Sequence, residues 1–383
     1  MTVGTCLLGD VVSTVMGQAP PGSTCNREDD GTIFVKAGEF GTERPVVREW
    51  TTRPLKSAQV GDTLVCVVGA TAGKVNRGID CAIGRSVAAV RPDSSRLNHD
   101  YLYRFLQTRI NWLRDRSQGL AQGVITRDML ENLEIPLPPL DEQRKIAAIL
   151  DQADALRARR GEALAHLADL AQSIFFDMFG DPVSPSHPWP NRRIGDVAQV
   201  QIGPFGSLLH SEDYVDDGVP LINPIHIVQG TIVPNQKQSV TKRKHAELEN
   251  YQLRVGDVIM GRRGEMGRCA IVGAEHDGLL CGTGSLIIRP QATAALASYL
   301  AAALSHPSMK RHFEGISLGS TLPNLNRTIV ANVNLVIPPI HVQAAFEERL
   351  GRLANLRGSH DVQLVELDSF FASLQSRAFA GEL

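Results

Sequence analysis

The chain has eight lysines, at positions 36, 56, 74, 145, 237, 242, 244 and 310. The residues two places before them are Phe34, Pro54, Ala72, Gln143, Asn235, Val240, Lys242 and Ser308, none of them acidic. A metal-dependent nuclease that sets an acid two residues before a lysine is excluded on residue types alone. Gly69-Ala70-Thr71-Ala72-Gly73-Lys74 has the look of a phosphate loop. One residue too few separates its glycines, and Val75 stands where a Ser or Thr would hold magnesium, so a turn is the better reading. No His-Glu-x-x-His and no Asn-Pro-Pro-aromatic run occurs. Cys6, Cys25, Cys66, Cys81, Cys269 and Cys281 form no Cys-x-x-Cys pair, so reduced thiols in cores and loops are expected. The eleven histidines are scattered, and His210 and His226 read as structural. No catalytic residue and no metal ligand is assigned.

What remains is binding. The first half offers Arg44, Arg48, Arg53, Lys56, Lys74, Arg77 and Arg85, and the second Lys237, Lys242, Arg243, Lys244, Arg262, Arg263 and Arg268. Cations on loops suit phosphate contacts, and arginine suits the guanine edge. The polar stretch Gly319–Asn326, with Thr321 and Asn324, could read adenine through Asn. The chain as a whole is not basic, with a net charge of −2. Residues 1–138 carry 16 Lys and Arg against 15 Asp and Glu, and 186–338 carry 14 against 12. Residues 139–185 carry 5 against 8, and 339–383 carry 4 against 6. Affinity for nucleic acid therefore needs local patches or a partner's charge.

The elements that must position these residues come in a unit that occurs twice. Leu8-Gly9-Asp10-Val11 returns as Ile194-Gly195-Asp196-Val197, Val60-Gly61-Asp62 as Val255-Gly256-Asp257, and Val90-Arg91-Pro92 as Ile288-Arg289-Pro290. Tyr101-Leu102 returns as Tyr299-Leu300, and Arg127 as Arg327. The offset drifts from 186 to 200 while the order holds, as small loop insertions would produce. Strands are expected at 63–68, 86–90, 257–260 and 285–288, and helical spacing covers 99–113 and 298–313.

Each unit closes on a long helical pattern. Leu137-Pro138-Pro139-Leu140-Asp141-Glu142-Gln143 opens the first and Ile337-Pro338-Pro339-Ile340-His341-Val342-Gln343 the second. Proline suits an extended entry and a first helical turn. Ile146, Ile149, Ala153, Leu156, Ala163, Leu167, Leu170 and Ile174 follow a heptad spacing, as do Phe346, Leu353, Leu356, Leu367, Phe370 and Leu374. Both seams are interrupted, at Arg160 and His360. About 40 residues give about 60 Å of helix. Six to eight large apolar side chains per seam put about 10–20 kcal/mol at stake, so each seam needs a partner, and the nearest is the other helix. The fold class expected is α+β: two similar globular α/β domains separated by two long antiparallel helices (a coiled coil), with an internal pseudo-two-fold repeat. The divisions are 1–138, 139–181, 186–338 and 339–381. The N-terminus does not read as a signal peptide and no apolar run approaches a membrane span, so a cytoplasmic protein is expected.

With its Pro-Pro-x-x-x-Gln helix entries, continuing as Arg144-Lys145-Ile146, its Gly-Asp-Val openings and its Gly-Ser-Thr-Leu-Pro-Asn-Leu-Asn stretch, the chain resembles the specificity (S) subunit of type I restriction-modification systems. The resemblance covers essentially the whole chain. It implies a non-catalytic subunit that reads a bipartite, asymmetric site on double-stranded DNA, one part per target recognition domain, with the paired helices setting the gap. It further implies two methyltransferase subunits docked on the helical regions, at Gln143, Arg144, Ile146, Gln343 and Phe346, and restriction subunits joining them. No cofactor is expected on this chain; S-adenosylmethionine and ATP with magnesium would sit on those partners. The alternative is a duplicated scaffold that binds protein only, such as an inhibitor of such a complex.

Overall fold

The structure, a computed structural model, describes residues 4–118, 123–184, 187–317 and 324–383. The chain forms two compact units: Met1–Gly161 with Val362–Leu383, and Glu162–Asp361. The long helices are Leu140–Phe179 and Ile340–Ala380. The division runs through both, so each unit contains a globular half and a piece of each helix.

In the first unit the strands Val12–Met16, Val87–Pro92, Thr63–Cys66 and Val75–Arg77 lie side by side in that order, all antiparallel. A second sheet of five short strands pairs Thr32–Val35 parallel to Cys81–Ile83. Leu64, Cys66, Val87 and Ala89 point into the core between the sheets. Val65, Ala88 and Val90 point the other way, onto Tyr101, Phe105 and the long-helix residues Ile146, Leu150, Phe371 and Leu374. A sheet covered on both faces needs apolar residues at every position, which is why these strands read as unbroken apolar runs.

The second unit repeats the plan. Ala198–Ile202, Ser285–Pro290, Val258–Gly261 and Cys269–Ile271 form its four-stranded antiparallel sheet. Val219–Ile222 runs parallel to Leu280–Cys281 in the other. Val258, Met260, Leu286 and Ile288 face Phe175, Phe179, Tyr299 and Phe346. Ile259, Ala270 and Ile287 face the opposite core. The expected strands are found with ends shifted by a residue or more, and Arg91-Pro92 and Arg289-Pro290 belong to their strands. The two expected mid-unit helices are each broken: His99–Thr108 is followed by Ile110–Gln118, and Ala297–Ser305 by Pro307–Ser317. In the second case Pro307 cannot continue the preceding turn.

The repeated motifs have a common physical basis. Gly61 and Gly256 sit at φ of 93° and 85°, a left-handed turn that glycine adopts without cost. The aspartate that follows is buried and accepts a backbone N–H, from Gln59 to Asp62 and from Arg254 to Asp257, each at 2.9 Å. Each aspartate is also held in a two-pronged ion pair, Asp62 by Arg91 at 2.8 Å and Asp257 by Arg289 at 2.7 Å. The Gly-Asp and Arg-Pro motifs are thus two halves of one internal clamp.

The long helices begin on one globular half and end on the other. Gln143 is fully buried: its Oε1 accepts from Asn98 N at 2.8 Å, and its Nε2 donates to Arg96 O at 2.9 Å and Pro138 O at 2.8 Å. Gln343 does the same with Leu296 N, Ala294 O and Pro338 O. At the far ends, Phe179 packs on Tyr299 with ring centres 4.9 Å apart, and Phe379 on Tyr101 at 5.2 Å. The heptad seam needs correction. Ile146, Ala153, Phe346 and Leu374 are buried, but Ile149, Leu156, Leu170, Leu356 and Phe370 are exposed. The buried stripe of the first helix start runs through Ile146, Ala147, Leu150 and Ala153, facing the first unit's own core.

Candidate nucleic-acid interface

The cations named from the sequence fall into three groups. Arg53, Arg85, Lys237, Lys242 and Arg263 are exposed and have no acidic partner among the described residues. Arg44, Arg48 and Lys56, on the same stretches of the first unit as Arg53, are exposed too. Arg243 pairs with Glu247 at 3.1 Å, Lys244 with Asp213 at 3.2 Å, and Arg268 with Glu265. Arg243–Glu247 is exposed, and exposed pairs are weak and exchange readily for phosphate, whereas Lys244–Asp213 is largely covered. Lys74 donates to Phe40 O at 3.0 Å, which ties the glycine turn to its own unit. Thr321 lies outside the described residues.

Arg77 is withdrawn from the phosphate contacts. Its side chain is 13% exposed and meets Glu43, Asp100 and Asp151. Burial alone would lower its pKa, but Asp151, Asp100 and Glu43 outweigh that and hold it above the ordinary arginine value. Its guanidinium lies 4.4 Å from the Tyr103 ring. Arg104 continues the lattice, to Asp151 at 2.6 Å and Asp154 at 2.7 Å. Arg157 closes it, to Asp154 at 2.9 Å and Asp368 at 2.6 Å. These charges join the first globular half to both long-helix pieces of its unit and leave little for DNA.

The docking residues also move. Gln143, Gln343 and Phe346 are fully buried and Ile146 nearly so, because they hold each helix to its own globular half. Of the five, Arg144 is exposed, paired with Asp141 at 2.7 Å. What the sequence reading missed is the other stripe. In the first unit Ile149 is 42% and Leu156 53% exposed, with Val362, Val365 and Phe370 also in solvent. In the second, Leu170, Phe176 and Leu356 are exposed. The signal was present in the seven-residue spacing of Ile149, Leu156 and Leu170, which repeats on the second helix as Leu356 and Phe370.

Two arrangements have the outline of hydrolase chemistry and do not support it. Gly315-Ile316-Ser317-Leu318-Gly319 has Gly-x-Ser-x-Gly spacing, but Ser317 ends the helix Pro307–Ser317 and is not on a strand-to-helix turn. Ser308, His306 and Asp181 are in contact, with Ser308 Oγ donating to Asp181 at 2.8 Å and lying 2.7 Å from His306 Nδ1. The serine proton is directed at the carboxylate and not at the imidazole, the reverse of an activated nucleophile. Among the described residues no group of three His, Cys, Asp or Glu side chains could hold a metal ion. Burial pushes the Cys81 and Cys269 thiols up to about 12, which leaves them unreactive.

At one place the two units differ sharply in polarity. In the first, Val67 N donates to Ser86 O and Ile125 N to Val67 O. In the second the same two bonds run from Arg262 N to Gly284 O and from Leu325 N to Arg262 O. The bridge Val68–Val124 becomes Arg263–Asn324. Valines in the first unit are thus replaced by Arg262 and Asn324, joined at 2.7 Å.

Two copies of one sheet-and-helix domain in one chain, each with exposed cations, define a tandem-domain protein. Residues 3–165 and 186–358 each match the type I restriction modification DNA specificity domain, and the chain belongs to that family. It is 33% identical over 148 residues to a putative type I restriction enzyme MjaX specificity subunit of Methanocaldococcus jannaschii, covering 37% of this chain and 34% of that protein. It is 20% identical to the MjaVIII specificity subunit of the same organism, over 77% of this chain and 72% of that one. With the EcoBI specificity subunit of Escherichia coli it shares 20%, over 81% and 72%. The fold matches the crystal structure of a type I restriction-modification S subunit from M. genitalium, with TM-score 0.56 and 16% identity over 98% of this chain and 96% of that one. It also matches a chain solved in a study of complex assembly and conformational transition of the type I R-M system, with TM-score 0.64 and 17% identity over 99% and 98%.

Proposed function

We propose that the chain is the specificity subunit of a type I restriction-modification complex, reading a bipartite site on double-stranded DNA with one half assigned to each domain. The observation that carries this is the occurrence of two matches to the specificity domain in one chain. The two long helices act as an antiparallel spacer. Support comes from their ends: each starts against one half through Gln143 or Gln343 and finishes against the other through Phe179 or Phe379. The exposed stripes of Ile149 and Leu156, and of Leu356 and Phe370, receive two methyltransferase subunits. Those partners hold S-adenosylmethionine and methylate adenine; restriction subunits using ATP and magnesium join them. The complex works in the cytoplasm, consistent with the finding that no helix among the described residues is long and apolar enough to cross a membrane.

The test is to reconstitute the full chain with the methyltransferase of its own system and map the methylated bases. Two short sequences at a fixed gap are expected. Methylation without sequence preference, or no association with the methyltransferase, would overturn the reading.

A further inference from the structure

Arg262 is 3% exposed and has no acidic partner among the described residues. Its Nε donates to Thr283 O at 2.9 Å and its Nη1 to Asn324 Oδ1 at 2.7 Å, and both acceptors are neutral. Burial pushes its pKa down, and the neighbouring Arg263 pushes it further. A buried cation without a countercharge is costly, so its retention needs a reason. The surroundings do not supply the missing charge. Arg263 is exposed with no acidic partner among the described residues, while Arg268 and Lys310 share the single carboxylate of Glu265.

The geometry fixes the orientation of Asn324. A guanidinium can only donate, so the atom facing Arg262 is the amide oxygen. The Nδ2 group is turned away, and no hydrogen bond engages it among the described residues. An asparagine that reads adenine must both donate to N7 and accept from N6. With its oxygen held inward by Arg262, Asn324 presents donors alone. The edge that matches a pair of donors is guanine, whose N7 and O6 both accept. The adjacent charge also polarises the amide and strengthens those donors.

We propose that Arg262 is a positioning residue that holds the Asn324 amide with its N–H bonds outward, so that the second domain reads a guanine in its half of the site. This rests on the reading of residues 186–358 as a DNA specificity domain. The first domain, with Val67 and Val124 at the equivalent places, makes no such contact.

The experiment uses the full chain in complex with its methyltransferase and a library of duplexes randomised across both half-sites. The wild-type complex selects guanine at one position of the second half. Asn324→Ala removes that preference by about tenfold to a hundredfold, the size of one paired base contact, and leaves the first half unchanged. Asn324→Asp pairs with Arg262, keeps the fold and presents acceptors, so the same position comes to prefer a base with a donor, cytosine. Arg262→Met frees the amide to turn, so that adenine is admitted beside guanine there. A purely structural role would weaken all sequences equally and shift no base preference. If Asn324→Ala and Asn324→Asp leave every preference intact, or weaken all sequences alike, the inference is overturned. A wild-type complex with no sequence preference at all would instead overturn the function on which it rests.

Discussion

Gln143 and Gln343 each satisfy three backbone groups from two segments of chain, and each does so from a fully buried position. Their spacing, five residues after the first proline of each entry, was legible in the sequence, and it singled them out. Their role was not legible, because the partners Arg96 and Asn98 lie more than 40 residues upstream and contribute only backbone. A polar residue at a helix start looks the same whether it faces a partner or a carbonyl. Gln143→Leu keeps the volume and leaves the buried Pro138 C=O and the partly buried Asn98 N–H and Arg96 C=O without these partners. A loss of about 2–6 kcal/mol is expected, at about 1–3 kcal/mol for the Pro138 C=O and about as much again for the two partly buried groups together. Urea unfolding of the full chain measures it, and a loss below about 0.5 kcal/mol, the range of ordinary surface changes, would refute the brace. Asp181 is a second residue of this kind. Burial raises its pKa, but the N–H groups of Val183 and Ser184, the Ser308 hydroxyl and nearby His306 outweigh that and hold it below the usual carboxylate value. Its stabilising contribution is present above the unfolded value of about 3.9 and is lost as pH falls through the depressed folded value. Asp181→Asn therefore lowers the melting temperature at pH 7, and the gap to wild type narrows as pH drops from 5 towards 3. A gap that is constant with pH would rule out the charge as its source.

At the scale of elements, the long helices were legible to within a few residues, because two proline entries and forty residues of helical spacing leave no other element. Which stripe faced inward was less legible. Ile146, Ile149, Ala153 and Leu156 satisfy one heptad rule, yet Ile146 and Ala153 are buried while Ile149 and Leu156 are in solvent. A helix that serves its own core on one side and a partner on another carries two apolar stripes, and heptad spacing alone merges them. Solvent-facing Leu156 and Phe370 make a direct test of docking. Leu156→Glu with Phe370→Glu removes no buried contact of the isolated chain, so its stability should change by less than about 1 kcal/mol. Co-purification of the methyltransferase should drop at least tenfold, since a charge placed in an apolar interface core costs more than about 1.4 kcal/mol. Undiminished co-purification would place the docking surface elsewhere.

At the scale of the whole molecule, the duplication was legible because motif order survives where identity does not. The difference between the two joints was not, since each depends on residues far apart in sequence. In the first unit Arg77 and Arg104, on the globular half, meet Asp151, Asp154 and, through Arg157, Asp368 on the helices. At the matching positions of the repeat the second unit has Ile271, Ala302, Gly351 and Ala354. One joint is a charge lattice, and the matching places of the other carry no charge. This decides how the chain tolerates exchange of its readers. Replacing residues 1–138 with the first half of another family member should change only the first part of the DNA site, with the second part and the gap unchanged. The exchange also removes Arg77 and Arg104, leaving Asp151 without either partner and Asp154 with Arg157 alone at a half-buried joint. Incoming halves without arginine or lysine at those two places should therefore give chimeras that melt lower, by several degrees for each ~1–2 kcal/mol lost. Replacing 186–338 strands no ion-paired carboxylate: Asp181 loses the Ser308 hydroxyl and His306 but keeps the N–H groups of Val183 and Ser184. The check is a panel of both chimera types, scored by methylation mapping and melting temperature. Equal tolerance of the two exchanges, with or without the arginines, would show that the lattice does not govern assembly. A first-half exchange that altered both parts of the DNA site would show that the two readers are not independent.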